Sequence, residues 1–296
     1  MDLKSKIILI YGPTASGKSQ FAVKLAKKIN GEIINADSMQ VYKELKILSA
    51  RPFQKNCQKI KHHLYGFKSV RKKFSTGDWL KLVKKKILDI KKNKKTPILV
   101  GGTGLYFKAL TDGLVNIPNI PFKFRSKIRA LHKKLGQKKF FLNLIKIDPL
   151  SKNHINPSDT QRAIRAYEVK SYTKKSIYLW FKNTKSDYER DDFYKIYLDY
   201  PRIDLLKKIN ARAEKMIKNG AIPEVKRFIK LKVRRDKTAS KAIGIEEIRD
   251  YINKKIQISD VIEKISVKTR QYAKRQSTWG RGNMLDWNKI NSESLN

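Results

Sequence analysis

Cysteine, acidic residues and long apolar runs are scarce in this 296-residue chain. The single cysteine, Cys57, excludes an internal disulfide and a zinc site built from a cysteine cluster. No stretch approaches the ~18 apolar residues of a membrane-spanning helix, and the apolar run near the N-terminus is too short for a secretory signal. These absences predict a soluble protein of the reducing cytoplasm.

The shortage of acidic residues leaves a large positive charge. The chain has 68 Lys and Arg residues against 26 Asp and Glu residues, which gives a formal net charge of +42. Such an excess favours a polyanionic partner, with nucleic acid ahead of a membrane surface. Lysine is preferred over arginine, and asparagine and isoleucine are frequent, as in the proteins of an AT-rich genome. Part of the charge therefore has a second interpretation, as solvated surface.

The most informative motif is G-x-x-x-x-G-K-S at residues 12–19. It follows a short apolar strand at 7–10 and precedes a helical pattern, which is the context that a phosphate-binding loop requires. Glycines at both ends allow consecutive backbone N–H groups to point at an anion, and the next helix adds its positive N-terminus. Lys18 supplies a charge, and the Ser19 hydroxyl can bind Mg²⁺. The motif predicts phosphate or diphosphate binding.

A second absence limits what this loop does. P-loop ATPases carry another apolar strand that ends in a carboxylate, which holds the metal. The best second strand here, Ile98–Val100, runs directly into Gly101-Gly102-Thr103-Gly104. The sequence therefore favours chemistry other than nucleotide hydrolysis.

Hydrophobic patterning predicts an α/β fold with a P-loop parallel-sheet core and helices on both faces, interrupted by a helical insertion. We assign residues 1–115 and 194–296 to the core and its helical C-terminal arm, and residues 116–193 to the helical insertion. Strands are predicted at 7–10, 32–35, 98–100 and 194–198. Helices are predicted at 18–29, 76–91, 124–135, 138–144, 160–169, from 201 to 219, 246–253 and 259–279.

Two further loops carry candidate chemistry at the same sheet edge. Asp37 follows the second strand, where a carboxylate can accept a proton from a nucleophile beside the bound phosphate. It can equally cap a short helix at 38–42. Thr103 offers a hydroxyl in the glycine-rich loop, whose glycines permit close approach of a ligand or simply form a strand–helix turn.

In combination these motifs resemble the tRNA dimethylallyltransferase (tRNA isopentenyltransferase) family, in the bacterial form without a zinc-finger extension. The resemblance covers nearly the whole chain. It rests on GPTASGKS at 12–19, DSMQVY at 37–42, HHL at 62–64, GGTGLYF at 101–107, D-x-Q-R-x-x-R-A-x-E-V at 159–169, the Ile209 to Val225 pattern, and T-R-Q-Y-A-K-R-Q-x-T-W at 269–279.

The resemblance implies transfer of a dimethylallyl group from dimethylallyl diphosphate to N6 of the adenosine at tRNA position 37. It implies that Asp37 is the general base, that Thr103 lies near the bridging oxygen, and that Arg212 binds the diphosphate. Mg²⁺ would bind at Ser19 with that diphosphate. The implied diphosphate-binding residues are Gly12, Pro13, Thr14, Ala15, Ser16, Gly17, Lys18 and Ser19.

The resemblance also implies a set of contacts to the tRNA anticodon stem-loop. They are Asp37, Ser38, Met39, Gln40, Thr103, Arg125, Gln161, Arg162, Ala163, Ile164 and Arg165. Without the resemblance, the sequence would predict that residues 160–169 form a surface helix with an Arg165–Glu168 pair.

We expect the protein to be a monomer. Two alternatives remain: a P-loop kinase of a small metabolite, and a non-catalytic RNA-binding module.

Overall fold

A computed structural model of the chain describes residues 3–52, 57 and 59–291. Its described strands form one sheet in which every neighbouring pair is parallel, in the order β3-β2-β4-β1-β5-β6. The strands are β1 Ile7–Tyr11, β2 Gly31–Asn35, β3 His62–His63, β4 Thr96–Gly101, β5 Phe193–Asp199 and β6 Asn288–Asn291. The predicted parallel sheet is confirmed.

Helices connect these strands and extend the chain beyond β5. They are α1 Lys18–Lys28, α2 Thr76–Lys92, α3 Gly104–Thr111, α4 Phe122–Ile147, α5 Thr160–Thr173, α6 Ile177–Phe181, α7 Arg202–Lys218, α8 Ala221–Lys230, α9 Ile245–Ile252 and α10 Ile258–Asn283. None of the helices in the described part of the chain has the length and apolar character that crossing a bilayer requires.

Strand β1 shows why the sheet is covered on both faces. All five of its residues are buried, and side chains alternate between the faces of a strand. Ile7 and Leu9 pack in a core with α2 and α3, while Ile8 and Ile10 pack in a core with α1. A continuous apolar run is the pattern expected of a parallel strand with helices on both sides. The predicted α/β layering is confirmed.

The strand order brings three loops together. Strands β2, β4 and β1 are neighbours and run in the same direction, so their carboxyl ends lie side by side. The P-loop follows β1, Asp37 follows β2, and Thr103 follows β4. Crevices at this edge of a parallel sheet are the usual ligand sites of α/β folds.

The helices after β5 form a further core of their own. Side chains of α7, α8, α9 and α10 pack with the segment 41–48 in a single apolar cluster. This cluster places α7 and α10 beside the loops described above, because both helices also contribute side chains to the cavity there.

The chain divides into two compact units. The core unit comprises residues up to Thr111 and residues from Tyr188 onwards, and the insertion unit is Asp112–Asp187. Inside the insertion unit α4 is interrupted at Gly136, which has a φ of 71°, in agreement with the two helices predicted there. An apolar core of its own, built mainly from α4 and α5, holds this unit together.

Several short strands and helices of the structure were not predicted from the sequence. The edge strands β3 and β6 contain two and four residues and are largely polar, so they lack the apolar alternation that identifies a strand. Helices α3, α6 and α8 are five to ten residues long and adjoin other elements closely. Short elements of this kind depend on tertiary packing more than on local pattern.

Candidate active site

The P-loop begins and ends with a glycine that its geometry requires. Ala15 and Gly17 lie in the left-handed region, at φ of 66° and 82°. Gly17 immediately precedes α1, whose N-terminus carries the positive end of the helix dipole. A Cβ on Gly12 would lie 2.7 Å from the carbonyl oxygen of Leu198, so packing against β5 excludes a side chain there.

A cavity of about 440 Å³ lies beside the P-loop, a volume suited to a small-molecule ligand. All the residues that line it belong to the core unit. They include Thr14 to Gln20, Asp37 to Gln40, Leu48 to Ala50, Lys241 to Ile243, Arg212 and Met216 from α7, and Thr269, Tyr272, Arg275 and Gln276 from α10. The predicted diphosphate site, general base and diphosphate-binding arginine are therefore brought to one cavity, while Gly12 and Pro13 shape its loop.

Four cationic side chains line this cavity, and burial lowers the pKa of two of them, Lys18 and Arg212. Burial lowers the pKa of Lys18 from 10.5 to about 7; the Asp37 carboxylate opposes this effect and the Arg212 charge adds to it. Burial likewise lowers the pKa of Arg212, whose Nε has no hydrogen-bond partner among the described residues. An anion in the cavity would stabilise both charges.

Asp37 lies in a tight turn at the end of β2. Its backbone N–H donates to Asn35 Oδ1 at 2.9 Å, and its own Oδ1 accepts from the N–H groups of Met39 at 2.8 Å and Gln40 at 3.3 Å. The Asp37 carboxylate thus caps the turn that follows it, which was the alternative to a general base in the sequence analysis. This turn uses Oδ1 alone, so Oδ2 can serve a second purpose in the cavity.

Thr103 connects two of the loops. Its Oγ1 accepts from the N–H of Ser38 at 3.0 Å, and its own N–H donates to the Ala36 carbonyl at 3.3 Å. Its side chain also interacts with that of Tyr272, which lines the cavity. Thr103 therefore fixes the Asp37 turn against the loop after β4. Its contact with the reacting atoms stays a prediction.

Gln276 of α10 is a site residue that the sequence did not single out. Its Oε1 accepts from the N–H of Thr14 in the P-loop at 2.8 Å, and its Nε2 donates to the carbonyl of Gly102 at 2.8 Å. Its backbone carbonyl accepts from the Tyr11 hydroxyl at 2.7 Å. One buried amide thus joins the loops after β1 and β4. The spacing of Thr269, Tyr272 and Gln276 along one helix face is the signal that could have identified it.

The glycines after β4 have a different purpose from the one expected. A Cβ on Gly102 would lie 2.0 Å from Gln276 Nε2, and one on Gly104 would lie 2.2 Å from the Trp279 ring. Protein, in the form of α10, fills the space that we expected a ligand to approach. At these two glycines the structure favours the other interpretation, a strand–helix turn, because the absence of a side chain lets α10 pack closely on the loop.

The insertion unit carries the other predicted tRNA contacts. On α5, Gln161 and Arg162 are exposed, Ile164 is half-buried, and the Ala163 side chain lies fully inside the core of the unit. Alanine at that position serves packing, so any contact with RNA there would have to come from the backbone.

Arg125 and Arg165 of the insertion unit both pair with Glu168. Arg125 Nε lies 3.1 Å from Glu168 Oε2, and Arg165 Nη1 lies 3.5 Å from the same oxygen. The Arg165–Glu168 pair expected of a surface helix is present, but the Glu168 carboxylate is buried rather than at the surface.

Comparison with known proteins identifies the family. A family model described as IPP transferase matches residues 40–283. The tRNA dimethylallyltransferase of Pelagibacter ubique (strain HTCC1062) is 59% identical over 295 residues, which are 100% of this chain and 94% of that protein. The tRNA dimethylallyltransferase of Agrobacterium fabrum (strain C58) is 41% identical, with 98% of each chain covered.

Solved structures agree with the sequence comparison. The full-length tRNA isopentenylpyrophosphate transferase from Bacillus halodurans superposes with a TM-score of 0.69 at 32% identity, covering 97% of this chain and 90% of that one. A eukaryotic dimethylallyltransferase acting on tRNA superposes with a TM-score of 0.83 at 27% identity, covering 97% and 74% of the two chains. By sequence and by structure, the chain belongs to the IPP transferase family of tRNA-modifying enzymes.

Proposed function

We propose that this protein is a tRNA dimethylallyltransferase that moves the dimethylallyl group of dimethylallyl diphosphate to N6 of the adenosine at tRNA position 37. The observation that carries the proposal is the single cavity that joins the P-loop, Asp37 and Arg212, in a chain of this family. In the transfer, the C1–O bond to the diphosphate breaks and a bond from N6 to C1 forms. The bonding electrons leave with the diphosphate, and the N6 proton goes to a base.

The P-loop, Lys18 and Arg212 would stabilise the departing diphosphate. Negative charge grows on the leaving group as the C1–O bond breaks, and preorganised donors and cations act most strongly on such developing charge. Burial destabilises the charged forms of Lys18 and Arg212 in the free protein, so a bound anion stabilises these two charges strongly. The guanidinium of Arg212 matches paired phosphate oxygens in geometry as well as in charge.

Asp37 would accept the N6 proton. General base catalysis needs a carboxylate within hydrogen-bond reach of the nucleophile, and Asp37 Oδ2 is not used in the turn that Oδ1 holds in place. The adenine must leave the stacked anticodon loop to reach this cavity, at a cost of a few kcal/mol. Ser38, Met39 and Gln40 line the same cavity and would meet the extruded nucleotide.

A divalent cation fits the donors beside the P-loop. The described residues include no cluster of three or more His, Cys, Asp and Glu side chains that could hold a metal by themselves. Mg²⁺ commonly binds through one or two protein oxygens together with substrate phosphates. Ser19 lines the cavity and would supply such an oxygen. When bound there, Mg²⁺ neutralises charge on the leaving diphosphate.

The insertion unit would bind the tRNA anticodon stem-loop through Arg125 and the exposed side chains of α5. Exposed arginines suit phosphate contacts that position an RNA. The protein would act as a monomer in the cytoplasm, where its tRNA substrate is present. A metabolite kinase is not favoured, because the family and its relatives are tRNA prenyltransferases.

Mass spectrometry of tRNA nucleosides tests the proposal. Unmodified tRNA incubated with the protein, dimethylallyl diphosphate and Mg²⁺ should yield N6-dimethylallyladenosine. Asp37→Asn should lower kcat by roughly 10²- to 10⁴-fold while leaving tRNA affinity within a few-fold of wild type. Asp89→Asn, at an exposed position of α2, is the matched control and should behave as wild type. ATP hydrolysis without prenyl transfer would contradict the proposal.

A further inference from the structure

Glu168 of α5 is a buried carboxylate surrounded by arginines. Its side chain is 1% exposed, next to apolar core residues of the insertion unit. An ionised carboxylate is costly to bury unless cations compensate it. Three do so: Arg125 Nε lies 3.1 Å and Arg165 Nη1 3.5 Å from Oε2, and Arg129 Nε lies 3.7 Å from Oε1. The cluster of Glu168 with these three residues, here called the arginine cluster, carries a net charge of +2.

The arginine cluster joins two helices. Arg125 and Arg129 are four residues apart, on one face of α4, and Arg165 lies three residues before Glu168 on α5. Without the carboxylate, three like charges at this point would repel one another. Glu168 thus allows α4 and α5 to present their arginines side by side.

The arginines in this cluster remain open to a ligand. Their side chains are 37%, 51% and 41% exposed for Arg125, Arg129 and Arg165, although the carboxylate they share is buried. Each guanidinium has five N–H donors and meets Glu168 through one nitrogen. Arg125 is hydrogen-bonded to the carboxylate, and Arg129 and Arg165 lie within ion-pair distance of it. Donors therefore remain on three planar groups gathered around one anion, and planar guanidinium groups match phosphate oxygens in pairs.

We propose that Glu168 is a positioning residue for RNA binding: it holds Arg125, Arg129 and Arg165 as one preordered phosphate-binding cluster, and Arg129 is a further contact to the tRNA backbone. The inference rests on the proposed function, since it names residues of the same RNA-binding unit. Glu168 itself is covered by protein and does not touch the RNA. Its effect reaches the RNA through the orientation of the three arginines.

Removing the Glu168 charge separates this role from a purely electrostatic one. Glu168→Gln makes the protein more positive by one charge, and by charge alone it should bind tRNA more tightly. A positioning role predicts the opposite: binding about fivefold to tenfold weaker at physiological salt, because the arginines lose their shared anchor. In turnover, the loss should appear in KM for tRNA rather than in KM for dimethylallyl diphosphate.

Asp159→Asn is the matched control for this variant. Asp159 caps the same helix, accepting from the N–H of Arg162 at 3.0 Å, and it pairs with the exposed Arg162 side chain at 3.4 Å. Asparagine caps a helix about as well as aspartate, so the variant removes the same charge without losing the cap. It should bind tRNA as tightly as wild type or more tightly.

Arg129 provides a second test that does not depend on how Glu168→Gln folds. Arg129→Ala should weaken tRNA binding and reduce the salt slope by about one, while Arg129→Lys should restore the slope but only part of the affinity. Thermal unfolding of each variant checks that the insertion unit is intact. Equal or tighter binding by Glu168→Gln, or wild-type affinity in Arg129→Ala, would overturn the proposal. Absence of tRNA binding by the wild-type protein would instead overturn the proposed function.

Discussion

The cavity of the core unit and the arginine cluster of the insertion unit arrange charge in opposite ways. In the cavity, Lys18 and Arg212 form no ion pair within 4 Å among the described residues, and burial lowers the pKa of both. In the insertion unit, one buried carboxylate is compensated by three half-exposed arginines. Cations that line a cavity without an ion-pair partner suit a small, highly charged anion that enters it. Anchored surface cations suit an extended polyanion that stays in water.

Replacing Arg212 should give the largest effect on the cavity side of this comparison. Arg212→Ala removes one of the four cationic side chains that line the cavity and should lower kcat/KM for dimethylallyl diphosphate by roughly 10²- to 10³-fold. Arg212→Lys keeps the charge but loses the planar guanidinium group, which can donate two hydrogen bonds in parallel, so it should recover only part of the rate. Lys215→Ala, at an exposed position of the same helix, is the control and should match wild type in steady-state kinetics.

The pKa of Lys18 predicts that diphosphate binding depends on pH. The amine titrates near pH 7 in the free protein, and a bound diphosphate favours its charged form. The contribution of Lys18 to affinity should therefore be constant below pH 7 and fall above it, by up to about tenfold per pH unit, with a proton taken up on binding. Calorimetry in buffers of different ionisation enthalpy measures that proton.

Lys18→Arg is the control for this pH dependence. Arginine stays charged over the whole range, so the variant should keep only the dependence that comes from titration of the diphosphate itself. An unchanged pH profile in Lys18→Arg would show that Lys18 is not the titrating group.

Replacing Gln276 should have an intermediate effect, because it acts through the two loops that it joins. Gln276→Glu keeps an acceptor for the Thr14 N–H but loses the donor to the Gly102 carbonyl and adds negative charge near the leaving group. We expect KM for dimethylallyl diphosphate to rise about tenfold, with a smaller change in KM for tRNA. Gln257→Glu makes the same change at an exposed position at the start of α10 and should leave KM for dimethylallyl diphosphate unchanged.

Replacing Arg165 should give the smallest effect, since two other arginines share its anchor. Arg165→Ala should weaken tRNA binding several-fold and lower the salt slope by about one, without altering KM for dimethylallyl diphosphate. Fluorescence anisotropy of labelled tRNA over a range of salt concentrations measures both quantities. A rise in KM for the diphosphate would contradict the separation of roles between the two regions.

The local parts of the site could be predicted from the sequence. The P-loop is defined by a contiguous motif and its flanking strand and helix, so its position follows from short-range pattern alone. The positions of Asp37 and Thr103 could also be predicted. Each follows a strand of a parallel sheet, and the residues after the carboxyl ends of such strands lie at one edge of the sheet. The break of α4 at Gly136 was predictable from the two helical patterns on either side.

The partnerships between distant segments could not be predicted in this way. Gln276 lies 262 residues after Thr14 and bonds to it directly, and no local pattern connects the two positions. The glycines after β4 were associated with a ligand because glycine permits any close approach. Only the packing of α10 decided that the close neighbours are Gln276 and Trp279.

Sequence alone therefore determined the chemical groups, the family and the sheet edge at which the groups meet, since each depends on contiguous motifs and on the direction of parallel strands. Tertiary structure decided the lowered pKa of Lys18 and the neighbours of Glu168, because both depend on which distant side chains lie around a given atom. Desolvation and ion pairing act through space, and the order of residues along the chain does not encode them directly.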